Sequence, residues 1–274
     1  MNNGLSNEAL ALLAPSIFAA APAPSVSDKY AYFSTAAVLD AMRSIGLRPF
    51  QAAEGKKRHP DGRAFAMHEI DFRPTGYYSR APELGELTPH ITLRNSHDRT
   101  SPLVIEAGME RAVCTNGMRC WDSELGLNFT ARHVGKRGMA ELVAGIEKAV
   151  ANLDRVVDVA NDWQKISLSA QQQLDFAKVA LDIKGSTLAI DPTVLLTARR
   201  HADHGPTLWR VFNRVQENIV KGGVAGRNAS GKVRSLKRIS TLAADVDFNR
   251  KLWAAAAKVA AETKPVTISV PVAV

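Results

Sequence analysis

The sequence predicts an α+β protein in which an antiparallel sheet, about residues 47–118, is packed by a helical C-terminal half. Three observations predict it. Short β-prone runs separated by turn residues fill residues 47–118, and too little helix lies between them for parallel crossovers. From Arg137 onward, apolar residues recur instead at helical spacing.

The first 28 residues read as an accessory arm: a short helix over Leu5–Leu13, then a stiff linker at Ala21-Pro22-Ala23-Pro24. Leu10–Ala21 is apolar, but the first basic residue is Lys29, so the positive start of a secretory leader is missing and none is expected. Thr35 reads as the N-cap of a helix carrying Val38, Leu39, Met42 and Ile45, which Gly46 would stop. Ala64–Phe72, Pro89–Leu93 and Leu103–Ile105 are strand-like, within a sheet of four to six strands. Pro60-Asp61-Gly62 signals a hairpin between Arg48–Arg58 and Arg63–Phe72, and Asn95-Ser96-His97-Asp98 signals a second turn.

In the helical half, Leu142, Ile146, Ala149, Leu153, Val156, Val157, Ala160 and Trp163 fall on one face of a long amphipathic helix. Ser169 and Gln172 have capping-box spacing, and Asp191-Pro192 is a cap followed by proline at the first helical position. Leu208, Val211, Phe212, Val215 and Ile219 form a further stripe, and a last helix covers Phe248–Thr263. The expected organisation is an arm (1–28), a single α+β domain (29–264, β-rich over 29–136 and helical over 137–264), and an extended tail (265–274).

A chain of 274 residues with 46% hydrophobic and 23% charged residues can bury a substantial core. No apolar run reaches the roughly 20 residues that a membrane-spanning helix needs. Two cysteines, Cys114 and Cys120, make no disulfide framework, which fits a reducing compartment.

Charge is the informative feature. The net charge is +8, and Arg199–Arg238 alone holds ten Lys or Arg against two acids, Asp203 and Glu217, while the rest of the chain balances. Such a concentrated positive field attracts a polyanion. Within it, residues 221–238 hold six basic residues, four glycines and no acid. Glycine lets backbone N–H groups approach phosphate, and Arg or Lys supplies charge-assisted bonds. Lys221, Arg227, Lys232, Arg234, Lys237 and Arg238 are therefore candidate contacts to a nucleic-acid backbone, against the alternative of a solvated loop that binds nothing.

Gly226–Lys232 matches the spacing of a phosphate-binding loop, but Val233 stands where that motif needs Ser or Thr to hold Mg²⁺, so the match is a coincidence of spacing. Lys56, Lys57 and Arg58, beside the predicted turn, make a second basic cluster, either a tip that reaches a backbone or a charged turn protecting an edge strand. Trp209 falls off its helix's apolar stripe beside Arg210, where an exposed aromatic could stack on bases. His201 and His204 have no further ligand at suitable spacing, so no metal is expected, and no cofactor either. His97 with Asp98, together with Cys114, are the residues around which an enzyme would be centred, although no nucleophile–base pair can be assigned among them.

The runs His90-Ile91-Thr92-Leu93-Arg94-Asn95-Ser96-His97-Asp98 and Arg111-Ala112-Val113-Cys114-Thr115-Asn116-Gly117-Met118 resemble the signature of the phage/plasmid-like proteins called domain of unknown function 932. Leu208–Asn218 and Asn249–Trp253 are similar to that family's C-terminal half. The resemblance spans roughly residues 30–260 and implies a mobile-element protein in the cytoplasm of a bacterial host, with no activity to carry over. Its motif residues here are Arg94, Asn95, His97, Asp98, Arg111, Cys114, Thr115 and Asn116, which serve either the fold or a site. A hairpin-bearing sheet backed by helices is also similar, at the level of fold alone, to phage single-strand annealing proteins.

The expectation is thus a nucleic-acid-binding protein of a phage or plasmid, for single-stranded DNA, acting in recombination, annealing or maintenance and self-assembling as a homo-oligomer along the strand. The alternatives are a counter-defence factor that binds a host protein, and an enzyme.

Overall fold

The computed structural model describes residues 4–57, 60–74, 87–111, 114–119, 128–134, 139–151 and 153–263. The chain divides into two compact units, Met1–Val159 with Ile239–Arg250, and Ala160–Arg238 with Lys251–Val274. The tail expected to be extended, from residue 265 on, lies outside the described residues.

The first unit is built on a six-stranded antiparallel sheet. Strands β1 (Leu47–Glu54), β2 (His68–Pro74), β3 (Leu87–Asn95) and β4 (Leu103–Arg111) pair in that order. The C-terminal end of β4 pairs with β5 (Cys114–Arg119), and its N-terminal end pairs with β6 (Asn128–Ala131). Register follows from the period of two: Ile70 faces Leu93, which faces Ile105, and Phe72 faces Ile91, which faces Ala107. All six are fully buried, so one face of the sheet is a continuous apolar layer. Helix α3 (Met139–Ala151) packs on β4 and β6, with Leu142, Ile146 and Ala149 buried. A Cβ on Gly145 would come within 2.7 Å of the Phe129 ring, so glycine allows this close approach.

The hairpin signal found the right pair of strands and the wrong turn. Pairing of β1 with β2 ends at Glu54 and His68, and residues 55–67 connect them through a 3₁₀ turn at Pro60–Phe65. Phe65 O accepts from His97 N at 3.1 Å, so a tertiary bond to the loop after β3 outweighs the local preference for a tight turn.

The N-terminal residues, expected as an accessory arm, pack into this unit. Helix α1 (Asn7–Leu13) is capped by Ser6, and Leu10, Ala14 and Ile17 are fully buried. Leu5 N donates to Pro49 O at 2.7 Å, Ser16 donates from N and Oγ to Glu54 Oε2, and Ala23 N donates to His97 O. Within this segment Leu12 and Leu13, by contrast, are exposed. Helix α2 (Thr35–Ser44) is capped by Ser34, one residue before the expected cap, which frees Thr35 for the interior.

The long helix expected around Leu142–Trp163 is described as α3 and α4 (Leu153–Lys165), on either side of residue 152, and the boundary between units falls within α4. In the second unit, α5 (Ala170–Lys184) has the Ser169–Gln172 capping box and ends on Gly185 in the left-handed region. Asp191 caps as expected, but the element it caps is a 3₁₀ turn, Pro192–Leu196. Helix α6 (Leu208–Lys221) is enclosed, and not only by its apolar stripe: Asn213, Arg214, Gln216, Glu217 and Asn218 are buried too. The aromatic core gathers Trp163, Trp209, Phe212 and Trp253, with Trp163 and Trp253 ring centroids 4.3 Å apart. Helix α7 (Leu242–Thr263) closes the chain. Among the described residues no helix is long and apolar enough to cross a membrane.

Candidate nucleic-acid interface

The ten cations of Arg199–Arg238 divide into two sets by what they touch. Five belong to the fold. Arg199 donates to Asn218 Oδ1 and Gly222 O, and Arg210 to His204 O. Arg214 donates to the carbonyls of Asp203 and Gly205 and to Gln173 Oε1. Arg200 and Lys221 both meet Glu217 Oε1, at 2.9 and 2.5 Å. Burial opposes the charge on Glu217, but the bonds from Lys221 and Arg200 outweigh it and hold the carboxyl below its usual range. Lys221, predicted as a phosphate contact, is thereby engaged by an internal carboxylate.

The other five, Arg227, Lys232, Arg234, Lys237 and Arg238, are exposed and meet no carboxylate among the described residues. Arg227, Lys232 and Arg234 lie on a β-hairpin, not a loose loop, and Lys237 and Arg238 follow its second strand. Strands β7 (Ala225–Arg227) and β8 (Val233–Ser235) pair antiparallel, and Ala189 bridges to Arg227 on the outer side of β7. Asn228 organises the turn, its Oδ1 accepting from Lys232 N at 2.9 Å and from Ser230 Oγ. A strand follows Lys232 where a phosphate-binding loop would open a helix, which disposes of that motif.

Two glycines seat the hairpin. A Cβ on Gly226 would fall 2.6 Å from Ile190 Cγ1. Gly222 ends α6 at φ 66 and ψ −154, a region closed to other residues, and its Cβ would lie 2.6 Å from Arg238 N. Arg234 is the register partner of Gly226, and with Lys184 and Lys237 it lines an open groove of about 450 Å³ beside Ser186–Leu188.

Trp209 is only 2% exposed and packs on Phe212, so it cannot stack on a base. Its helix is buried on the polar side as well, which a stripe of apolar residues does not reveal. Lys56 is exposed, Lys57 is paired with Asp98, and Arg58 lies outside the described residues.

The motif residues of β3 and its following loop form a separate, buried network in the first unit. Thr35 Oγ1 lies 2.9 Å from His68 Nε2 and 3.4 Å from His97 Nε2, and it accepts from Asn95 Nδ2 at 3.0 Å. Asn95 Oδ1 meets His133 Nε2 at 2.9 Å, and Tyr30 stacks on His133. Burial, reinforced by His97, pushes the His68 pKa down to about 3; burial, reinforced by His133, pushes His97 down to about 4. Burial lowers His133 as well. The imidazoles of His68 and His97 thus tie α2, β2 and the loop after β3 together, and His133, whose two ring nitrogens face the carbonyl oxygens of Ala31 and Asn95, joins the end of β6 to them. Thr35 and His68 escaped the sequence reading because no local spacing links positions so far apart in the chain.

Arg94 pairs with Glu106 at 3.2 Å, both buried. Burial opposes ionisation of Asp98, but bonds from Lys57 and Thr100 outweigh it and hold the carboxyl below its ordinary range. Arg111 and Cys114 are register partners, and Arg111 also faces Leu87 at the start of β3; Thr115 and Asn116 follow on β5. Cys114 is therefore eight positions down the sheet from Asn95, roughly 27 Å by strand rise. His97 and Asp98 at one end and Cys114 at the other do not make one centre. Among the described residues no group of three or more His, Cys, Asp or Glu could hold a metal ion.

Over residues 22–253 the sequence matches the family described as Domain of unknown function (DUF932). The chain is similar to UPF0380 protein YafZ of Escherichia coli (strain K12), 32% identical over 253 residues that cover 91% of this chain and 89% of that protein. It is similar to the same degree, and over the same shares, to UPF0380 protein YfjQ of the same organism. No solved structure matches, so the likeness to annealing proteins gains no structural counterpart. With nine-tenths of its length aligned to these relatives and its motifs on β3, β4 and β5, the chain belongs to the DUF932 family.

Proposed function

We propose that the β7–β8 hairpin grips the backbone of a nucleic acid, with single-stranded DNA as the substrate class and a phage or plasmid as the setting. One observation carries this reading: five cations stand exposed on an ordered hairpin and the residues just after it, with no carboxylate among the described residues to neutralise them, while the five others of the same stretch are consumed by the fold. Ordering such a set in one place costs electrostatic repulsion, which a polyanion relieves. The adjoining groove, with Arg234, Lys237 and Lys184 around Leu188 and Leu236, suits an unpaired strand.

The test is the binding of a labelled oligodeoxythymidine to the full chain, followed by fluorescence anisotropy across a salt series. Five phosphate contacts predict a log–log slope of about −3 to −4 on a single strand. Changing Arg234, Lys237 and Arg238 together to Ala should weaken binding and flatten that slope by about 2. A flat salt response, or affinity unchanged in the triple variant, overturns the proposal.

A further inference from the structure

A second cationic site lies in the first unit, whereas the hairpin belongs to the second. Lys29, Arg99 and Arg132 line an open pocket of about 470 Å³ together with Tyr30, His133 and Val134. The size is that of a small-molecule site. The three cations are exposed and come from three separate segments, and none meets a carboxylate among the described residues. Asp98, next to Arg99 in sequence, is already committed to Lys57 and Thr100.

The walls are built, not incidental. Arg99 is the one residue other than glycine with positive φ (70) among the described residues. Such a conformation is held only where the surroundings over-determine it. Here Asp98 Oδ1 accepts from Thr100 N at 3.1 Å, while Ser96 Oγ donates to Ser101 O and accepts from Ser101 N. On the opposite wall, Tyr30 and Val134 form a bridge, Ala31 N donates to His133 O, and the His133 ring is fixed by Ala31 O and Asn95 Oδ1. Tyr30, half-buried, stacks on that fixed ring with centroids 4.5 Å apart and planes 12° apart, and Val134 beside it is 61% exposed. Rigid aromatic and apolar surface thus adjoins three cations that make no ion pair with a carboxylate among the described residues.

We propose that this pocket binds a nucleoside monophosphate group, its phosphate between Lys29, Arg99 and Arg132 and its sugar and base against Tyr30 and Val134. Three converging cations suit a dianionic terminal phosphate better than the single charge of a diester, and the aromatic wall suits a planar base. The group is either a free nucleotide or the phosphorylated 5′ end of a strand. The proposal does not rest on the hairpin reading, because its residues lie in the other unit and its probe is too small to need a strand-binding surface.

The experiment is calorimetric titration of the full chain with AMP, adenosine and inorganic phosphate at low salt. AMP should bind more tightly than either fragment, and the exposed double change Lys29→Glu and Arg132→Glu should weaken it tenfold or more at unchanged Tm, about 1.4 kcal/mol or more. Arg99→Ala is the second variant and should weaken AMP in the same direction. The Arg234, Lys237 and Arg238 triple Ala variant should bind AMP normally, which separates this site from the hairpin. A decamer with a 5′-phosphate outcompeting its 5′-hydroxyl counterpart for the AMP site identifies the strand end as the source; equal competition identifies the free nucleotide. No heat with AMP, AMP no tighter than phosphate, or affinity unchanged in the Lys29/Arg132 variant overturns the proposal.

Discussion

Thr35 Oγ1 stands 2.9 Å from His68 Nε2, linking the first turn of α2 to the first residue of β2, and both side chains are fully buried. His68 Nδ1 donates to the Ala66 carbonyl, so its Nε2 can accept the Thr35 hydroxyl proton only while the ring is neutral, and Asn95 Nδ2 donates to the same hydroxyl oxygen. His68 and His97 are held down to about 3 and about 4, whereas an unfolded histidine titrates near 6.5. Stability from this source is whole above about pH 6.5 and is lost as pH falls towards 4 for His97 and towards 3 for His68, because the unfolded chain binds protons that the native chain refuses. At pH 5 each histidine removes up to about 2 kcal/mol. Urea unfolding at pH 7.5 and pH 5.0 should show this as a lower midpoint in acid, and His97→Gln should remove about half of the difference. A midpoint indifferent to pH would contradict the network.

Glu217 is the counter-charge for Arg200 and Lys221, and its side chain is 4% exposed. Glu217→Gln leaves the half-buried Arg200 without its partner and should destabilise the fold by about 3 kcal/mol. Lys221→Ala, by contrast, leaves the Arg200–Glu217 bond standing and should cost about 1 kcal/mol or less. Neither change touches the five exposed hairpin cations. Oligonucleotide affinity, measured well below Tm, should therefore stay within a factor of about two for Lys221→Ala.

Gly222 joins α6 to the hairpin. A methyl group there would fall 2.6 Å from both Arg238 N and Leu236 O, in a backbone region that only glycine enters easily. Gly222→Ala should cost about 2–3 kcal/mol and, by displacing the hairpin, weaken oligonucleotide binding without removing any charge. Gly231→Ala makes the control. It has positive φ but open space around its Cβ, so it should cost about 1 kcal/mol and leave the hairpin seated.

Trp209 belongs to the core, so Trp209→Phe should lower Tm without changing strand affinity, and Trp209→Ala should cost about 3–5 kcal/mol. Strand binding that quenches Trp209 emission by direct stacking would contradict its position.

Much of the sheet was legible because one residue slip would turn Ile70, Leu93 and Ile105 to the wrong face, and that constraint is written into the period of two. The Ser169–Gln172 cap was legible for the same local reason. The features that escaped were set by contacts between distant segments. The stripe of α6 showed one buried face, but Arg200, Gln173 and Leu195 cover its polar side, so Trp209 looked outward when it does not. Glycine at 222 and 226 suggested a pliant loop, whereas both positions are glycine because neighbouring atoms lie too close for a side chain. Of the candidate interface, the charge surplus was readable; which half of it remains exposed was not, since that depends on Glu217 and on carbonyls from residues 203–222.

The first strand of the sheet has a further bearing on how copies of this chain can meet. Pro49 has no N–H to offer, the pairing of β1 slips between Pro49 and Gln51, and the Pro49 carbonyl is already taken by Leu5. A neighbouring molecule arriving at this margin therefore finds an interrupted row of donors and acceptors, which disfavours ribbon-like polymerisation through β1.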